Sequence, residues 1–545
     1  MKMNKDIYLR EVLAQIQRLL ALQDRNISSP TYGSFDRNYW QYHIVDFPSA
    51  RCQEAALTLR LLSMIKCPEN IYYKNKRIDE WIEAALHFWK KIQEKNGSFN
   101  EWYPKENSFV ATAFSLYAVT ETLLISDERF RKKNEHIIEP IEKAATWLSR
   151  HEENRAQNQE TGAIAALYNV YLLTGKKKYA MIASNKIKSL SKIQNSEGWF
   201  SEYGGPDTGY LSLSIDYLAK YYLKTKDTTT LEILNKAIKF IQFFLQPDYN
   251  IGGIYSSRNT EYLIPGGFEI LSSKLPEASG ICAYIRKGLQ KKYLPGPSDL
   301  DDRYLTYILY TYLQSYYNAM PLKKTIPVHR NYFIKTFKEA GIYIRNNSNF
   351  YLIVNCRKGG AFKIYFYRPK FSIWDAGILT FTKKNQVLSA SYIADSKLGE
   401  INEKGAQSVG FLASVPDKPI STKNMMALRL FQETLGKYEI IGLRLKNRFR
   451  KILITAQSKS KVRFTRTVSF FKDVISITDE LKEAAEIKKI ILGAKYSTIF
   501  VPSSRLFHKN ELDSEPIVIN VSNKNKVKIL RNYNKFGKLV VFEIL

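Results

Sequence analysis

Through the first 328 residues, apolar positions recur at three-and-four spacing, which gathers them on one face of a helix. This predicts helices over Ala50–Ile65, Asp79–Gln93, Ser108–Leu124, Asn134–Ser149, Gln159–Leu173, Lys178–Gln194, Thr208–Lys224, Thr230–Gln246 and Asp302–Tyr317. The first twenty residues add an amphipathic helix from Ile7, Leu9, Val12, Leu13, Ile16 and Leu19. Gly175 suits a helix end, and Asp207 suits the start of the helix that follows it. One loop recurs between the helices. QEKNGSFNEWYP opens at Gln93, QNSEGWFSEYGG at Gln194 and QPDYNIGGIYSSRN at Gln246, each running from glutamine through a polar turn to glycine and aromatic residues. Helical hairpins sharing one loop predict a closed (α/α) toroid over residues 1–328, with an irregular bundle as the plainer alternative.

Beyond about residue 330 the period shortens to two. Gly341–Pro369 is two strand-like runs around a CRKGG turn. Alternation continues in Gly377–Lys384, Glu439–Lys446, Lys451–Gln457, Lys461–Phe471, Val474–Leu481 and Pro516–Ser522. An antiparallel β-sandwich is expected over residues 329–545. No low-complexity linker divides the halves, so docking is expected rather than tethering.

Composition is that of an ordinary folded chain, 45% hydrophobic and 25% charged over 545 residues, which excludes disorder for most of it. Charge changes the picture: 82 Lys and Arg stand against 52 Asp and Glu, a formal +30. Such a surplus points to an anionic partner. His329–Leu545 holds 39 Lys and Arg against 17 Asp and Glu, so most of the surplus belongs to the β-half. No RNP, KH, zinc-finger or helix-turn-helix pattern supports a specific nucleic-acid partner. The four cysteines have no CxxC spacing and the six histidines no HExxH, so neither a zinc ribbon nor a His-rich metal site is expected. No cofactor is called for, while a structural metal in the β-half stays open. Charges interrupt every apolar run near the N-terminus, so a cytoplasmic location is the expectation, without a transmembrane segment and with peripheral membrane contact left open.

Three passages carry a resemblance. Glu197–Tyr222 places an acidic residue after a Gly-aromatic turn and a tyrosine at a helix start. Ala156–Gly175 is a helix opening on Asn158 and Gln159, and Asn346 onward (NNSNFYLIVNCRKGGAFKIYFY) reads as the first strands of a β-domain. Together with a toroid followed by a sandwich, they resemble the heparinase II/III-like and alginate-lyase-like polysaccharide lyases. The resemblance implies β-elimination on a uronate-containing polysaccharide or oligosaccharide, with Asn158 neutralising the carboxylate and Tyr210 as acid and base. Tyr203 is a second tyrosine for that role. Gln159 departs from the pattern, standing where these lyases often carry histidine.

The residues themselves supply further candidates. Elimination needs a base, an acid and a neutraliser of the uronate carboxylate. Ser256–Ile270 packs Arg258, Asn259, Glu261 and Tyr262 into a Gly/Pro-bounded loop, where arginine suits a bidentate carboxylate contact; a solvated loop is the alternative. Arg37, Trp40 and His43 mix charge with aromatic faces as sugar sites do, or simply anchor the first hairpin. Glu202, Asp207 and Glu261 are carboxylates that a glycoside hydrolase would need in pairs. Asp301, Asp302 and Arg303 are expected to start a helix and pair with one another. Lyase, uronate epimerase, hydrolase and non-catalytic polyanion binder all remain open at this stage.

Overall fold

The computed structural model describes residues 5–322, 331–391, 397–415, 421–434, 458–471, 473–495, 506, 511–512, 515–521 and 523–545. The boundary expected at 328/329 and the strands expected over Glu439–Lys446 and Lys451–Gln457 lie outside the described residues.

The helices in chain order are α1 (Asp6–Leu22), α2 (Arg37–Trp40), α3 (Ala55–Ser63), α4 (Lys76–Lys91), α5 (Phe109–Leu124), α6 (Glu128–Lys133), α7 (Ile138–Leu148), α8 (Gln157–Thr174), α9 (Lys177–Ile193), α10 (Thr208–Thr225), α11 (Thr228–Ile241), α12 (Gly266–Leu271), α13 (Pro276–Gln290) and α14 (Asp302–Asn318). Six of them form an inner ring. α3 packs on α5, α5 on α8, α8 on α10, α10 on α12 and α12 on α14, and α14 returns to α3. Helices α4, α7, α9, α11, α13 and α1 pack outside this ring. The expected toroid is closed.

Burial separates the two rings as helix physics requires. Inner α5 is buried almost all round, whereas outer α4 buries one stripe that includes Ile78, Ile82, Ala85 and Trp89. The repeated loop has a physical reason. Gln93 Nε2 donates to the carbonyls of Gly97 and Pro140, and Gln194 Nε2 to those of Gly198 and Ile233. Each glutamine thus ties its own turn to the next outer helix. Gly97 and Gly198 have φ of +95° and +104°, and a Cβ at either would strike that neighbouring helix's backbone. Only glycine fits both demands.

Helices α12 and α13 went unpredicted. α12 opens on Gly266-Gly267, a poor helix former by propensity. Packing requires it nonetheless, because a Cβ on Gly267 would press on the backbone of α10 at Ile215.

The β-half begins with a five-stranded antiparallel sheet in sequential order: β1 (Phe333–Phe337), β2 (Ile342–Asn346), β3 (Phe350–Asn355), β4 (Ala361–Tyr367) and β5 (Lys370–Asp375). The Gly341–Pro369 region therefore holds three strands, not two, since Asn347 caps an extra turn by accepting from the N–H groups of Asn349 and Phe350. A larger antiparallel sheet follows, with β6 (Leu379–Thr382), β7 (Val387–Ser389), β8 (Lys397–Asn402), β9 (Gly405–Ser414), β10 (Ser458–Phe471), β11 (Val474–Lys482), β12 (Ile487–Leu492), β13 (Ile517–Asn520), β14 (Lys526–Tyr533) and β15 (Leu539–Ile544). A helix, α15 (Thr422–Glu433), lies between β9 and β10 in the chain.

The small sheet is buried on both faces. Phe350, Leu352 and Val354 of β3 join Val468 and Ile477 of the large sheet in one apolar cluster. Tyr351 and Ile353 point the other way, into the core of the toroid. Polar contacts fix the docking: Asn355 Nδ2 donates to the Tyr255 carbonyl at 2.7 Å, and the Glu197 carboxylate accepts from the N–H groups of Glu339 and Ala340 at 2.9 Å each.

Candidate active site

An outer helix precedes each inner helix in the chain, so every inner helix enters the ring from the same mouth. The loops before them meet there. Tyr203 N–H donates to the Arg155 carbonyl at 2.8 Å, and Ser257 N–H to that of Pro206 at 3.0 Å. Asn158 is the second residue of α8 rather than its cap. The Glu202 carboxylate, from the next loop, accepts from the Asn158 N–H at 2.8 Å and from Asn158 Nδ2 at 2.7 Å. An acid at a helix N-terminus satisfies an otherwise orphaned donor and complements the helix dipole. Glu202 is wholly buried, and burial, with the negative charges of Asp207 and Glu153, holds its carboxyl far above the usual range.

Asp207 is the hub of the second half. It caps α10 by accepting from the Tyr210 N–H at 3.1 Å, and its other oxygen accepts from the Arg258 N–H at 2.9 Å. The Thr260 hydroxyl also donates to it. Tyr210 and the Arg258 loop are thus set relative to each other by one carboxylate. The loop is buried rather than solvated, with Arg258 and Asn259 each 8% exposed.

The Arg258 guanidinium lies over the Tyr203 ring, 4.8 Å from its centroid. Its Nε–H is buried and makes no hydrogen bond among the described residues. Tyr203 stands at φ +56° and Asn259 at φ +58°, left-handed conformations that cost free energy. Tyr210 is half-buried; burial and the neighbouring Tyr304 and Tyr203 raise its hydroxyl well above the ordinary tyrosine value, and the Arg258 charge pulls it down. Tyr262 packs against Tyr304 at 5.8 Å. Gln159 is buried, with its Oε1 unpartnered. Glu261 Oε2 accepts from the Leu506 N–H at 3.2 Å.

Arg37 and Trp40 are the first and last residues of α2, and His43 follows in the chain before α3. Trp40 Nε1 donates to the Leu22 carbonyl at 2.8 Å and Arg37 bonds Gln41, while His43 is exposed. Those bonds anchor the first hairpin and do not reach the Asn158–Tyr210–Arg258 group. The expected pairing within Asp301–Arg303 is corrected. Asp301 caps α14, Asp302 pairs with Arg18 at 2.6 Å, and Arg303 donates to the Tyr307 hydroxyl at 2.6 Å.

The sequence hid one residue at this site. Lys358, in the CRKGG turn between β3 and β4, reaches from the β-half beneath the Arg258 loop and donates to the Ser256 carbonyl and to Asn259 Oδ1. It is 0% exposed, and burial pushes its amine down to about 7 despite the Asp207 charge. A small pocket beside it is lined by Trp199, Gly204, Ser257, Ala340, Asn355 and Arg357. Among the described residues no cluster of three His, Cys, Asp or Glu could hold a metal ion. Among them, too, no helix is long and apolar enough to cross a membrane.

No family model matches the chain, and no curated protein matches it. Solved structures do. A Paenibacillus xanthan lyase superposes with a TM-score of 0.53 at 10% identity, covering 97% of this chain and 57% of that one. A point mutant of the Streptomyces coelicolor A3 chondroitin AC lyase gives 0.53 at 8% identity, covering 89% and 67%. The same lyase in complex with chondroitin sulphate gives 0.50 at 9% identity. The shared fold is a helical domain followed by an antiparallel β-domain. The chain spans little more than half the length of the xanthan lyase, and at such identities the likeness is one of fold alone.

Proposed function

We propose that the protein is a polysaccharide lyase of heparinase II/III-like or alginate-lyase-like character, cleaving a uronate-containing polymer by β-elimination at the toroid mouth. The observation that carries this reading is the Arg258 Nε–H, buried and unbonded beside Tyr203 and in reach of Tyr210's electrostatic field. A buried guanidinium donor without a partner is costly, and a planar carboxylate is the acceptor that suits it best. In the proposed step, the Tyr210 phenolate removes the proton next to the uronate carboxylate. Arg258, with the Asn158 amide held by Glu202, stabilises the charge that develops on the carboxylate oxygens. The bond to the departing glycosidic oxygen then breaks, a C=C bond forms in the sugar, and Tyr210 returns the proton to the leaving oxygen. Tyr203, Asn259, Glu261, Tyr262 and Gln159 line the substrate side in this reading.

Hydrolysis by Glu202 and Asp207 is less well served. Both carboxylates are buried and occupied by internal donors, which leaves neither open to a water or a leaving group.

The test is incubation with xanthan, chondroitin, heparin and alginate, followed by the ultraviolet absorbance of the unsaturated product. Absorbance from at least one polymer, lost in Tyr210→Phe, is expected. Reducing ends without absorbance would assign hydrolysis, and binding without any turnover would assign a polyanion-binding role. Because Tyr210 is raised, its phenolate fraction climbs tenfold per pH unit below its pKa, so kcat/KM is expected to rise from neutral into alkaline pH.

A further inference from the structure

We infer that Lys358 is a positioning residue supplied by the β-half, holding the Arg258 loop in the geometry that receives an acidic sugar. The inference rests on the reading that Arg258 takes the substrate carboxylate.

The turn that carries Lys358 is built to point one way. Asn355 Oδ1 accepts from the N–H groups of Arg357 and Lys358 at 2.9 and 3.1 Å, which fixes the turn from inside. Asn355 Nδ2 bonds the Tyr255 carbonyl, one residue before the loop that Lys358 reaches. Gly359 and Gly360 follow at φ +65° and +69°. A Cβ on Gly359 would run into the Ala390 carbonyl, and one on Gly360 into the Arg466 side chain. The turn is therefore pinned to the toroid on one side and to the β-core on the other.

Lys358 spans Arg258. Its two acceptors are the carbonyl of Ser256 and the side chain of Asn259, two residues before and one residue after it. On its far side the same loop is held by Asp207, through the N–H of Arg258, and by the Glu202 carbonyl, which accepts from the Ser257 hydroxyl at 2.8 Å. Asn259 is kept left-handed between these two anchors. Among the described residues Lys358 has no carboxylate within ion-pair distance, so its amine is not there to neutralise a buried acid. An apolar side chain would fill the space at less desolvation cost. What the amine adds is direction: two N–H donors that hold the loop so that the Arg258 guanidinium lies on Tyr203 with Nε–H unspent.

The experiment is steady-state kinetics on the polymer of the panel above that yields unsaturated product, for wild type, Lys358→Met, Asn259→Gly, Arg258→Ala and the double variants with Arg258→Ala. Asn259→Gly keeps the left-handed backbone while removing the acceptor, so it carries the test if Lys358→Met does not fold. Both single variants are expected to raise KM about tenfold with kcat within about threefold, and to add nothing once Arg258 is alanine. A general structural role would not be erased by removing Arg258. If Arg258→Ala raises KM while Lys358→Met and Asn259→Gly stay within twofold of wild type, or add their full effect to Arg258→Ala, the positioning role is overturned and the carboxylate reading stands. If Arg258→Ala itself leaves KM unchanged, or no polymer is cleaved, the carboxylate reading fails and the positioning role with it.

Discussion

Two groups of buried charge, one in the β-half and one at the toroid mouth, behave in opposite ways. In the sandwich, Asp375 of β5, Arg466 of β10, Asp479 of β11 and Arg531 of β14 form a closed quartet. Arg466 reaches Asp375 at 3.0 Å, and Arg531 reaches Asp375 at 2.9 Å and Asp479 at 2.7 Å. Burial opposes the charge on Asp375, but its two arginines more than offset that and hold its carboxyl below the usual range. At the toroid mouth, Glu202, Asp207, Arg258 and Lys358 are also two acids and two bases. None of them forms an ion pair with another within 4 Å; Glu202, Asp207 and Lys358 are met by amide, hydroxyl or carbonyl groups instead, and the Arg258 guanidinium by the Tyr203 ring. Burial therefore wins there, raising Glu202 and Asp207 and lowering Lys358. Charges that satisfy one another hold a fold together. Charges kept apart leave capacity for an outside ion: among the described residues the Arg258 guanidinium, unlike those of Arg466 and Arg531, meets no carboxylate.

The largest expected effect comes from breaking the quartet. Arg531→Leu leaves two carboxylates short of a partner in a dry interior, and about 3–5 kcal/mol of stability is expected to go with it. Denaturant unfolding measures this directly. A loss below about 1 kcal/mol would mean the quartet is not structural, and the contrast with the mouth would collapse.

Next is Tyr210→Phe, which touches the other cluster. It removes a half-buried hydroxyl that has no hydrogen bond among the described residues, so unfolding is expected to shift by less than about 1 kcal/mol. Turnover is expected to fall at least about 100-fold. The two variants thus exchange phenotypes, one losing stability and the other losing chemistry.

Much of this was legible in the sequence, and the reasons differ by element. The toroid was visible because its inner and outer helices need apolar faces at fixed spacing, and because Gln93 and Gln194 must each repeat the same bridge to the next outer helix. The sandwich showed in runs such as β10 and β11, which alternate buried and less buried residues. α12 was hidden because the contact that requires Gly267 belongs to α10, far away in the chain. Asn158 and Tyr210 were legible as polar residues at helix starts, Glu202, Tyr203 and Arg258 as polar residues in the loops, and the fold does gather them. Lys358 was not. A lysine in a polar turn predicts exposure, and only the docking of the β-half buries it.

That burial makes a third prediction, on pH. Lys358 has a folded pKa of about 7, while the unfolded chain keeps an ordinary lysine near ~10.4. Between those values the unfolded state binds one more proton, so this residue makes stability rise with pH, by at most about 1.4 kcal/mol per unit. Below about pH 7 both states are protonated and the cost of burying the charge is fully felt. Unfolding free energies at neutral and alkaline pH, compared between wild type and Lys358→Met, isolate the slope. An identical slope in both proteins would show that Lys358 is not a buried amine in solution.

The smallest effect sharpens the comparison from outside. The β-half carries 39 Lys and Arg against 17 Asp and Glu. Exposed charges act over distances that salt shortens, about 10 Å at 0.1 M, whereas Arg258 is buried and little screened. The surplus can therefore draw a polyanion toward the molecule without taking part in the step at Tyr210. Raising salt is expected to increase KM a few-fold and to leave kcat alone. If kcat fell in parallel with affinity, the mouth's charges would be screened like the surface ones, and the separation between holding, attracting and reacting charges would not survive.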